Sequence, residues 1–125
     1  MAYTNPGPSV TANPNPQSSV GNLWKVGIFS LTLSPASVAN ATSAEQTFDA
    51  SAIGLLTTDV VLVQKPTAQA GLGIVGTRVS AANVLAVTFM NATAATITPT
   101  ASQAYAVTVL RAQPNFVAGD PDLNW

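Results

Sequence analysis

The chain has no cysteine, no histidine and few charges, and each shortage removes a class of chemistry. Without cysteine there is no disulfide, thiolate metal site or thiol nucleophile. Without histidine, the commonest general base and the commonest metal ligand are gone together. Only 7% of the 125 residues are charged, against about 25% in an average soluble domain. The net charge is −1 over four cations and five acids, which leaves no basic footprint for nucleic acid. Long apolar runs are also missing, and none approaches the ~20 residues that span a bilayer as a helix. The first residues show neither the basic nor the apolar region of a secretory signal. Neither nucleic acid nor membrane is expected as a partner.

The remaining acids do not compose a catalytic set. Glu45 and Asp49 are four apart, which on one strand face is about 13 Å, too wide for the carboxylate pair of a glycosidase. Asp120, Asp122 and Asn124 in "GDPDLNW" lack the spacing and the Glu of a calcium loop. No glycine-rich loop fits a phosphate fingerprint. The expectation is a non-enzymatic protein with no catalytic, cofactor-binding or metal-binding residues. Asn40-Ala-Thr42 and Asn91-Ala-Thr93 match the glycosylation triplet, and without a secretory signal they read as chance.

What the chain has is β-chemistry. "NLWKVGIFSLTL" alternates, with Trp24, Val26 and Ile28 on one face and Phe29, Leu31 and Leu33 on the other. Apolar residues on both faces predict a strand covered on two sides, inside the domain or at an interface. "EQTFDASAI" is a more polar strand through Phe48, ended by Gly54. "DVVLVQKP" is β-branched and stopped by Pro66. In "LGIVGTRVS", simple alternation puts Leu72, Ile74, Gly76 and Arg78 on one face and Val75, Thr77 and Val79 on the other. Gly73 and Gly76 within that strand predict a bulge or a close backbone approach. "VLAVTFMN", bracketed by Asn83 and Asn91, and "QAYAVTVLR" complete the set, with a short extended piece expected at Ile97. Helical periodicity competes only in "VSAANVLAVTFMNATAA", where Val, Thr and Phe favour strand.

These six strands and their turn chemistry predict an all-β fold, an antiparallel β-sandwich of jelly-roll-like type. Residues 22–112 form that domain. Residues 1–21, with Pro6, Pro8, Pro14 and Pro16, are expected to be an extended arm, and residues 113–125 an extended C-terminal tail. Arg78 is expected at a solvated strand end or paired with a carboxylate such as Asp59.

Residues 59–111 resemble a recurrent pattern of phage virion proteins. The matching features are Gly71-Leu72-Gly73-Ile74, Arg78-Val79-Ser80, Asn83, Val87-Thr88-Phe89, Asn91-Ala92-Thr93, Pro99 and the Tyr105–Arg111 strand. The pattern looks like the β-sandwich of small phage head-decoration, or capsid cement, proteins. The resemblance implies binding rather than catalysis: a virion structural protein on the capsid surface, made in the host cytoplasm. It would stabilise the shell by binding the major capsid protein as a homo-oligomer, with a trimer favoured. The low charge agrees, since weakly charged surfaces tend to associate.

Partner-binding residues are expected in the arm and tail: Tyr3, Val10, Leu23, Trp24, Phe116, Leu123 and Trp125. For Trp24 core filling is the first expectation and the interface the second. The alternative is a receptor- or carbohydrate-binding module of a phage fibre or tail, with Trp125 beside Asn124, or Tyr105, as the sugar platform. A third reading is a subunit of a β-rich filament whose weakly charged strands pair edge to edge.

Overall fold

A computed structural model of the chain describes residues 23–112. It contains six strands and, among the described residues, no helix: β1 (Leu23–Leu33), β2 (Thr42–Asp49), β3 (Val60–Gln64), β4 (Leu72–Ala81), β5 (Val84–Asn91) and β6 (Gln103–Ala112). They form two three-stranded sheets, ordered β1-β6-β3 and β2-β5-β4. The β2–β5, β4–β5 and β3–β6 pairs are antiparallel. Four of the five connections cross from one sheet to the other, and only β4–β5 is a hairpin within a sheet. This is the winding of a jelly roll shortened by one strand in each sheet. Packing is concentrated in Val26–Arg111, which forms one compact unit; Leu23–Lys25 and Ala112 belong to a second.

The core follows from the period of two. On β6, Tyr105, Val107 and Val109 point inward, and across the sandwich Leu85, Val87 and Phe89 of β5 meet them. Leu33, Val61 and Val79 join from β1, β3 and β4, and Val38, Ala50 and Leu55 close the ends from loops. β5 reads as the most buried strand because it is central and apolar at nearly every position.

The strand boundaries agree with the turn chemistry. Asn83 takes the left-handed conformation, φ 63°, at the β4–β5 hairpin, where Asn is among the residues that tolerate it. Its backbone also clamps the loop after β2: its N–H donates to Leu55 O at 3.0 Å, and Ala50 N donates to its carbonyl at 2.8 Å. Gly71, φ 81°, is required before β4, since a side chain there would collide with Thr93. The extended piece at Ile97 pairs as an isolated bridge with Val38. β2 ends earlier than expected, at Asp49, because the chain turns from residue 51 with Asp49 accepting from Ser51 N at 3.2 Å.

The face assignment on β4 needs correction. The register shifts between Ile74 and Gly76, so Val75 is an extra, bulged residue that is 61% exposed. Ile74 therefore faces inward with Thr77 and Val79, while Gly76 and Arg78 face outward opposite Thr88 and Ala86. One inserted residue inverts the alternation, as the period of two demands. The bulge falls beside Gly76, where glycine marked it.

Tyr105 is fully buried, and its hydroxyl has no hydrogen-bond partner among the described residues. Burial pushes its phenol pKa up. A buried hydroxyl without a partner costs its desolvation and returns nothing. Tyr105→Phe is therefore expected to raise stability by about 1 kcal/mol in urea titration. A loss of stability would show that the hydroxyl is bound in the folded protein.

Candidate functional site

The two outer faces of the sandwich differ in charge: the β2-β5-β4 face carries ionised side chains beside the exposed Met90, and the other carries none within Val26–Arg111. On the β2-β5-β4 sheet the outward residues include Glu45, Thr47 and Asp49 on β2, Thr88 on β5 and Arg78 on β4. Arg78 Nε and Nη2 donate to Glu45 Oε2 and Oε1 at 2.8 and 2.9 Å, a forked pair that reaches from β4 to β2 across β5. Arg78 hydrogen bonds hold the Glu45 carboxyl below its ordinary range. Both groups are solvated, so the pair orients charge on this face and adds little stability. The expected Arg78–Asp59 pair is not formed. Register places Glu45 opposite Thr88, one outward position along β5 from the Ala86 that faces Arg78.

The β1-β6-β3 sheet is apolar on its outside. Inward Leu31 and Leu33 fix the parity of β1, which turns Val26 and Ile28 outward. The β3–β6 register pairs Val60 with Leu110 and Leu62 with Thr108 on the same outer face. Exposure is 59% for Val26, 74% for Ile28, 56% for Val60 and 58% for Leu62. Between these two ridges, β6 presents Ala104, Ala106 and Thr108, a shallow trough of small side chains. Ser30, Thr32 and Gln64 supply the polar positions, and no outward residue of the sheet within Val26–Arg111 is charged. Among the described residues, nothing covers the outer face of β1.

Asp59, at the entry to β3, is tied into the fold by a different ion pair. Its side chain is fully buried, and Arg111 of β6 reaches it with Nε at 2.8 Å and Nη2 at 2.7 Å. Asp59 Oδ2 also accepts from Leu56 N at 2.9 Å, and Arg111 Nη2 donates to Gly54 O at 2.8 Å. Four groups of one loop and one strand thus share two charges.

Asn91 is a second buried polar node. Its Nδ2 donates to Val38 O and Ala95 O at 3.0 and 2.8 Å, and its Oδ1 accepts from Thr93 N at 2.9 Å. An amide committed in this way is structural, which agrees with reading the Asn91 triplet as chance.

Of the expected partner-binding residues, Leu23 is half-buried and Trp24 is 42% exposed. Trp24 does not fill the core, and Lys25 Nζ lies 4.5 Å from its ring centroid. The reason is parity: Leu31 and Leu33 face inward, so Trp24 falls on the opposite face of β1 with Val26 and Ile28. Tyr3, Val10, Phe116, Leu123 and Trp125 lie outside the described residues, as do Asp120, Asp122 and Asn124. Tyr105 cannot serve as a sugar platform, because it is a core residue with no exposed surface. Sequence reasoning placed Val26 and Ile28 on one face but did not single out Val60 and Leu62. The available signal was "VVLV", apolar at both parities.

Compared with known proteins, the chain matches no family model, no curated protein and no solved structure.

Proposed function

We propose that this protein is a non-enzymatic virion component that decorates and stabilises a phage capsid, bound to the major capsid protein as an oligomer. The observation that carries the proposal is the contrast between the two outer faces. One mixes charged and hydroxyl side chains with the exposed Met90, whereas the other exposes Val26, Ile28, Val60 and Leu62 with no charge among them. Exposed aliphatic side chains gathered on one uncharged face are the kind of surface that binds a partner. Copies of the chain suit it: the aliphatic ridges of one copy fit the trough of another, and no like charges oppose each other.

Oligomerisation serves the proposed role directly. Several linked copies touch several shell sites at once, so weak contacts add through effective concentration. The virion assignment rests on the resemblance of residues 59–111 to phage head-decoration proteins, and the apolar face supports the assembly half of it.

The test is co-sedimentation of the purified chain with shells of the phage that encodes it, assembled without this protein. The expected result is saturable binding with a fixed ratio of chain to shell subunit, and retention through washing. Chain that stays in the supernatant at all concentrations would overturn the proposal.

A further inference from the structure

Two clefts of about 270 and 250 Å³ lie along the seam between the edge strands β3 and β4, and Val63 and Ile74 line both. Thr77 Oγ1 donates to Val61 O at 2.7 Å, which pins β4 to β3 at one end. That bond also sets the direction of the β3 backbone. A carbonyl taken by β4 points away from β6, and groups two residues along the strand point the same way. The N–H and C=O of Val63 therefore face the groove. Among the described residues, no backbone hydrogen bond outside the strand ladders reaches them.

The rest of the groove complements an extended chain. Leu72 and Ile74, both partly buried, supply an apolar floor, and Gly73 on the β4 wall has open space where a side chain would start. At the far end stands Lys65. Its Nζ donates to Thr67 O at 2.6 Å, Gln103 Oε1 at 3.1 Å and Thr67 Oγ1 at 3.2 Å. All three are neutral oxygens that a carboxylate would displace, and no carboxylate among the described residues pairs with it.

We propose that this seam is a strand-addition site. It takes an extended peptide segment of another protein, apolar at alternate positions and carrying a carboxylate that meets Lys65. The segment pairs its backbone with the N–H and C=O of Val63. Its inward side chains lie against Leu72 and Ile74, and the alternate ones face water. A nucleic acid or a lipid has no row of amides to match this edge. A second β3 edge is also a poor occupant, since β3 has only five residues and Pro66 follows just beyond its end. The site goes beyond the virion reading and stands without it.

Panning a display library of random octapeptides against the purified full chain tests the site. Enriched peptides are expected to alternate apolar residues and to carry Asp or Glu. A synthetic copy of one should slow hydrogen exchange at the Val63 amide. Lys65→Glu, with an unchanged far-ultraviolet spectrum, should weaken binding about tenfold or more through loss of a charge-assisted bond. The proposal is overturned if no peptide enriches, if binding leaves the Val63 amide unprotected, or if Lys65→Glu binds as well as the parent. Failure to bind shells would change none of these readouts, so the two proposals fail separately.

Discussion

The Ile28→Lys, Leu62→Lys double variant is expected to run at the 12.7 kDa of one chain, where the unaltered protein is expected to run as an oligomer. Ile28 and Leu62 stand on the two ridges that flank β6, and they are 74% and 58% exposed in the single chain. Lysine at either site leaves the core untouched, so the melting of the isolated fold should change little. Between copies the consequence is large. Each lysine would be desolvated on an apolar neighbour with no carboxylate to meet it, and symmetry would repeat that cost at every interface. Thr47→Lys, on the solvated face of the other sheet, is the matched control and should leave the mass unchanged. A double variant that keeps the oligomeric mass would place the contact between copies elsewhere on the surface.

Asp59→Ala is expected to cost about 3 kcal/mol of stability in denaturant titration. The substitution removes the acceptor of both Arg111 bonds and of Leu56 N, and it leaves the guanidinium at the sandwich edge without its countercharge. The same pair predicts a pH dependence. Hydrogen bonds from Arg111 hold the Asp59 carboxyl below its usual value; burial opposes them, and the Leu56 N–H and the Arg111 charge add to the lowering. Because the folded pKa lies below the unfolded one, the contribution is complete above the ordinary carboxylate pKa of about 4. It is lost as pH falls through the lower, folded value. In Asp59→Asn that acid-side slope should shrink by up to one proton, whereas Glu45→Gln should change it less because its pair is solvated. Parallel pH curves for Asp59→Asn and the parent would contradict the assignment.

The strands were legible because their signals are local. β-branched runs, prolines after them and Asn at the joints placed all six, and the isolated bridge at Ile97 showed as a short extended piece. The inward set of β6 could be read by counting every second residue. Counting failed on β4, where a bulge at Val75 reversed the faces, and glycine content told of a bulge without telling its register. Ion pairing was beyond reach for a related reason. Arg78 and Glu45 are 33 residues apart, and Arg111 and Asp59 are 52 apart. Only the sheet order brings either pair together.

The candidate site was legible in part. A strand with two apolar faces looks the same whether its second face is inside the domain or outside it. "LWKVGIF" therefore announced two covered faces without saying which lies in the core. Sheet order settles that: Val26 and Ile28 share an outer surface with Val60 and Leu62 because β6, with its alanines, lies between β1 and β3. The β3–β4 groove could not be read at all. It arises where the edges of two sheets meet, and its polar feature is a backbone group that carries no sequence signature.

The central claim is that copies of this chain cover the apolar face of the β1-β6-β3 sheet. Light-scattering molar mass of the unaltered full chain, taken over a wide range of concentrations, tests it most directly. A discrete mass that is a whole multiple of the 12.7 kDa of one chain, independent of concentration, is expected. A mass of 12.7 kDa throughout would mean that the face stays uncovered by its own kind, and would contradict the account.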